Sequence, residues 1–98
     1  MNTIVEKLMG VNELTDQMIA SDFLLAAKTG VKQYAAAITE TATPEIREVL
    51  HRHLTEAIQT HEQITAYMID RGFYYPWNPQ EQLQLDLKTI QTALTIPS

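Results

Sequence analysis

An all-α fold, with two long antiparallel helices over about 15–41 and 44–71 and shorter helices at both ends, follows from three observations. Apolar residues recur at helical spacing along both long stretches. Start and stop signals bracket each of them. No strand pattern has a credible claim anywhere in the chain.

At the N-terminus, Thr3-Ile4-Val5-Glu6 has the form of a capping box, with Thr3 at the cap and Glu6 three residues on. Ile4, Leu8 and Val11 share one face, and Gly10 is expected to limit this element to a short helix. Alone it would be marginal and must dock on something or fray.

Thr15 or Asn12 is the expected cap of the first long helix, with Asp16 and Gln17 in its first turn. Its main apolar stripe is Ile19, Phe23, Ala27, Val31, Tyr34 and Ile38. Gly30 costs roughly 1 kcal/mol against alanine in a helix interior, so close approach of a neighbouring helix is expected there. Leu24, Leu25, Ala35 and Ala36 fall outside the stripe, which predicts neighbours on a second side.

Thr41-Ala42-Thr43 is too short for anything but a tight antiparallel return. Thr43 caps the second long helix, Pro44 suits its first position, and Glu45 places an acid in its first turn. Ile46, Leu50, His53, Leu54, Ala57, His61, Ile64 and Met68 make its inner stripe. Arg71 and Gly72 form the expected left-handed stop. Each long helix is then about 27 residues, or roughly 40 Å.

The segment Phe73-Tyr74-Tyr75-Pro76-Trp77 holds too much aromatic surface for an ordinary solvated loop, and it reads as a plug over the end of the bundle or as a binding surface. Asn78 caps the last helix, with Pro79 at its first position and Glu81 at its third. Leu83, Leu87, Ile90 and Leu94 are the expected buried edge of that helix, which should end near Pro97.

Composition narrows the function. Ninety-eight residues, 45% of them hydrophobic, make a single domain over 1–98 with a modest core. A net charge of −5 argues against nucleic acid, which needs clustered Lys and Arg to displace counterions. The absence of cysteine removes disulfide and thiolate chemistry and fits a reducing compartment. The first ten residues carry Glu6 and Lys7 among their apolar positions, unlike a signal peptide. No apolar run approaches the roughly 20 residues of a membrane span. A soluble, intracellular protein is the expectation.

Glu48 and His51 match the Glu-x-x-His spacing by which ferritin-like bundles hold a metal pair, and Glu40 could be imagined as a further ligand. The helical period sets Glu48 on the far side from Leu50 and Ala57, and a complete site needs two such motifs where the chain offers one. His53 and His61 lie on the inner stripe about 12 Å apart, too far to share an ion. In a hairpin turning at Ala42, His53 lies level with Tyr34, whose hydroxyl could satisfy it, and His61 level with Phe23 to Leu25. Asp16 lies level with Arg71, which predicts an ion pair. There is no phosphate-binding loop, no Ser-His-Asp set and no paired catalytic carboxylates. The expectation is a non-enzyme with no catalytic, cofactor-binding or metal-binding residue and no cofactor.

Several stretches carry a resemblance. Leu14-Thr15-Asp16-Gln17, Ile19-Ala20-Ser21-Asp22, Leu24-Leu25-Ala26-Ala27-Lys28, Ala37-Ile38-Thr39-Glu40 and Thr43-Pro44-Glu45-Ile46-Arg47 are followed by His61, Tyr67-Met68 and Gly72-Phe73-Tyr74-Tyr75-Pro76. Together, over roughly Leu14 to Leu94, they resemble the spore coat protein F (Coat F) family of spore-forming Firmicutes. The most specific part is the Gly-aromatic-Tyr-x-Pro turn after a Tyr-Met helix. Phe73 stands where many relatives carry tryptophan, a departure that an apolar plug tolerates. The resemblance implies a ferritin-like helical bundle and a structural constituent of the spore coat, made in the mother-cell cytosol and then placed in the coat. Its partners would be other coat proteins or paralogues. It carries over no catalytic residue.

Two readings stand beside each other. One is a structural protein acting by packing and self-association, expected as a homodimer because Leu24, Leu25, Ala35 and Ala36 would otherwise be wet. The other is a small ferritin-like metal-binding protein using Glu40, Glu48, His51 or His61. A weaker third is an adaptor that binds a helix in its groove.

Overall fold

Three helices, α1 (Thr3–Glu40), α2 (Pro44–Asp70) and α3 (Pro79–Leu94), make up the computed structural model, which describes residues 3–96 apart from the side chains of Glu6 and Lys7. No strand occurs among the described residues. The fold is all-α, as the periodicity predicts.

The N-terminal short helix does not exist as a separate element. α1 runs unbroken for 38 residues, through Gly10 and Asn12. A helical glycine costs roughly 1 kcal/mol against alanine, which weakens a helix without ending it. The hydroxyl of Thr15, an expected cap, instead donates to the Val11 carbonyl at 2.9 Å, a bond of the helix interior. The Glu6 half of the proposed capping box lies outside the described side chains, as does Pro97 beyond the end of α3.

The chain divides into two compact units, one drawn from Met1–Ser21 and Met68–Ser98, the other Asp22–Tyr67. The second is a helical hairpin. Its turn, Thr41-Ala42-Thr43, falls where the sequence places it, and the Arg47 amide closes on the Thr43 carbonyl at 2.9 Å to start α2. The Arg47 guanidinium reaches back and donates to the carbonyls of Ile38 at 2.7 Å and Thr41 at 2.9 Å. The Ile38 carbonyl lies in the last turn of α1 and the Thr41 carbonyl just beyond it, so a charged donor closes the helix end from the far side of the turn.

Across this hairpin Tyr34 and His53 meet edge to face, with 5.5 Å between ring centroids. Their level is the expected one, although the contact is ring to ring rather than through the Tyr34 hydroxyl. Leu50, His53, Leu54, Ala57, His61 and Ile64 are half-buried, as expected of an inner stripe, whereas Ile46 is exposed. On α1 the stripe is rotated from the expected one: Ala27, Val31, Tyr34 and Ile38 are half-buried, but Phe23 is exposed and Leu24 takes the inner position. A β-carbon on Gly30 would meet nothing within 4 Å, so this glycine does not mark a close helix approach. The Thr65 hydroxyl is enclosed without a hydrogen-bond partner.

Among the described residues the buried hydrophobic ones, Ala20, Met68 and Phe73, all lie in the first unit. Ile19, expected in the core, points to solvent, and Ala20 beside it is buried. α3 lies antiparallel to the first half of α1: Thr89 pairs with Gln17, while Thr92 lies 3.6 Å from the β-carbon position of Gly10.

Candidate interaction surface

The end of α2 and the aromatic turn determine how α3 is held. Gly72 adopts φ +71°, the left-handed conformation that side chains resist. Its amide donates to the Ile69 carbonyl at 3.1 Å, and the Phe73 amide donates to the Met68 carbonyl at 2.7 Å. This pair of bonds is a Schellman motif, which satisfies two of the last carbonyls of α2. Its hydrophobic positions are Met68 and Phe73, both buried. Arg71 lies over the Phe73 ring at 5.2 Å and approaches Asp16 at 3.6 Å. The expected ion pair is present, but its side chains are 43% and 55% exposed, so water screens it and its stabilising effect is small.

Of the proposed plug, Phe73 is buried, Tyr74 and Tyr75 are half-buried, and Pro76 and Trp77 are exposed. The Tyr75 amide donates to Oε1 of Gln82 at 2.7 Å, and Asn78 accepts from the Glu81 amide at 3.1 Å, with Pro79 in the first position of α3. Turn and helix start are thereby tied together, which sets the rotation of α3 about its axis.

That rotation overturns one expectation. Gln82, Leu85, Thr89 and Thr92 are the half-buried residues of α3, while Leu83, Leu87, Ile90 and Leu94 are exposed. At 100° per residue the two sets lie roughly 150° apart. The inner edge is held by polar contacts: Thr89 donates to the Leu85 carbonyl at 2.9 Å and accepts from the Gln17 amide nitrogen at 3.1 Å. Helical period alone finds an apolar edge, but it does not say whether this chain or another covers it.

A half-open cleft of about 460 Å³ lies in this unit, lined among others by Gly10, Gln17, Arg71, Tyr75, Lys88 and Thr92. Its walls carry two acids, Glu13 and Glu81, against two bases, Arg71 and Lys88, so no net charge selects a charged ligand.

The residues weighed for metal binding are not gathered. Glu40, Glu48 and His51 are exposed and His61 is half-buried. Among the described residues no three His, Asp or Glu side chains come together in a way that could hold an ion. No helix of the described residues is long and apolar enough to cross a membrane. The marked feature is apolar surface left outside, on α1 and along one edge of α3.

The Coat F domain matches residues 15–78. The chain is 56% identical over 98 residues to the spore coat protein F-like protein YraD of Bacillus subtilis (strain 168), covering 100% of this chain and 99% of that protein. It is 33% identical over 52 residues to the spore coat protein F-like protein YgzC of the same organism, covering 53% of this chain and 58% of that one. No solved structure matches it. The match spans the α1–α2 turn and the Gly72 stop with its aromatic turn, and the chain belongs to the Coat F family.

Proposed function

We propose that this chain is a structural protein associated with the bacterial spore coat, acting by self-association as a homodimer and by packing against other coat proteins or paralogues. The observation that carries the reading is the full-length relationship to a spore coat protein F-like protein. The exposed apolar residues within each unit support it, since apolar surface left outside often serves an interface. In this reading the protein is made in the mother-cell cytoplasm and then joins the coat. The whole chain, 1–98, acts as one domain, with no catalytic residue, metal or cofactor.

The test is localisation of a fluorescently tagged chain through sporulation. A shell around the forespore is the expected result, and a diffuse mother-cell signal throughout would refute the coat assignment. Metal analysis of tag-free protein tests the remainder. Stoichiometric iron, manganese or zinc, with a melting temperature that falls on chelation and recovers with that metal, would refute the metal-free reading.

A further inference from the structure

We propose that the outer stripe of α3, formed by Leu83, Leu87, Ile90 and Leu94, is the seam on which a second copy of this chain docks, α3 against α3. The proposal rests on the self-association reading above and assigns its surface.

The four residues are spaced by four, three and four positions, the alternation with which one helix presents a continuous seam to another. They are 59%, 52%, 55% and 79% exposed. The cause lies in the turn: the Tyr75–Gln82 bond and the Gln17–Thr89 pair hold a largely polar edge of α3 inward, so its most apolar edge has no partner within its unit.

Area and charge select the occupant. Side chains of this size at these exposures present roughly 500 Å² of apolar surface, the range of the largest patches on monomers and often functional. Two copies together bury at most roughly 1,000 Å² through these four residues, the size of a weak interface, and this implies a dimer at the weak end of the affinity scale. α2 carries five acids (Glu45, Glu48, Glu56, Glu62, Asp70) against Arg47 and Arg52, a net −3. α3 carries Glu81 and Asp86 against Lys88, a net −1, so like copies repel least if they meet there. The residues flanking the seam are Gln84, Asp86, Gln91 and Ala93, and Asp86 already accepts from Gln82 at 2.9 Å. Nothing on the seam recruits a charged partner; what fits it is another uncharged apolar seam, and the chain itself supplies one. The outer face of α1 is a poorer choice, because Asn12 and Thr15 interrupt it between Leu8 and Ile19.

Sedimentation velocity of the full chain from about 1 to about 100 µM is the test, a window suited to an interface of this area. The wild type is expected to pass from monomer to dimer. Leu87→Glu sets a carboxylate in the seam and is expected to raise the dimer dissociation constant on the order of 100-fold or more, with helical circular dichroism unchanged. Leu25→Glu, on exposed α1 surface, is expected to leave dimerisation as it is. Because the chain has no cysteine, a Leu87→Cys variant should be captured as a dimer by a short bis-maleimide while Glu48→Cys is not, a readout that does not depend on Leu87→Glu folding. A dimer that survives Leu87→Glu, or is lost in Leu25→Glu, or gives no Leu87→Cys cross-link, overturns the seam and leaves self-association standing. A wild type that stays at 11.1 kDa throughout overturns both.

Discussion

Tyr34 and His53 stack edge to face across the helical hairpin, with their rings 5.5 Å apart and inclined at 72°. The pair joins the middle of the α1 stripe to the α2 stripe, 19 positions apart in sequence and on opposite sides of the turn. Edge-to-face aromatic pairs contribute about 0.5–1.5 kcal/mol beyond the area they bury. A double-mutant cycle with Tyr34→Leu and His53→Leu should therefore return a coupling of about 0.5–1.5 kcal/mol. Additive single effects, measured by urea unfolding, would mean the rings are neighbours without interacting.

Two glycines should respond in opposite ways. Gly30→Ala adds a methyl where nothing lies within 4 Å and removes a helix-interior glycine, so stability should rise by about 0.5–1 kcal/mol. Gly72→Ala must hold φ +71°, and its new methyl would stand 3.0 Å from the Tyr75 hydroxyl, so stability should fall by at least about 1 kcal/mol. Melting temperatures resolve both, since about 1 kcal/mol shifts a domain of this size by roughly 4–8 °C.

The enclosed Thr65 hydroxyl has no hydrogen-bond partner. Replacing it by a methyl of similar shape removes an unmet desolvation cost of about 1–3 kcal/mol. Thr65→Val should be neutral or stabilising in chemical denaturation, and a loss above about 1 kcal/mol would reveal a bond that the hydroxyl makes in solution.

Phe73→Ala empties the centre of the first unit and should cost about 3–5 kcal/mol. Leu54→Ala and Ile64→Ala, expected from sequence to cost about 2–5 kcal/mol, act at half-buried positions and should fall at the lower end of that range. Glu48→Ala, on an exposed face, should lie within about 0.5 kcal/mol of the wild type. An equal loss in Glu48→Ala and Leu54→Ala would reverse the assignment of the inner face of α2.

Arg47→Ala removes the two guanidinium bonds that close α1, to the Ile38 and Thr41 carbonyls. The site is exposed and water replaces part of what is lost, so the expected cost is about 1–2 kcal/mol. Amide hydrogen exchange should quicken in the last turn of α1 and the first of α2 before it changes elsewhere. Uniform exchange across both helices would show that the arginine does not act as a local cap.

The sequence by itself determined the helices that its local chemistry can terminate. Thr43-Pro44, Gly72 and Asn78-Pro79 appear as start and stop signals because capping involves residues within one turn of each other, and all three hold in the structure. The same locality made the Gly10 break misleading, since a glycine weakens a helix by an amount that the rest of α1 can absorb. The levels of Tyr34 with His53 and Asp16 with Arg71 followed from counting residues back from a three-residue turn. Only the tertiary structure decided which edge of α3 faces α1. Helical period locates an apolar stripe but is blind to what covers it, and the rotation comes from one contact remote in sequence, Gln17 with Thr89, together with the Tyr75–Gln82 bond at the start of the helix. Those polar contacts turn Leu83, Leu87, Ile90 and Leu94 outward, the surface on which the chain's proposed association depends.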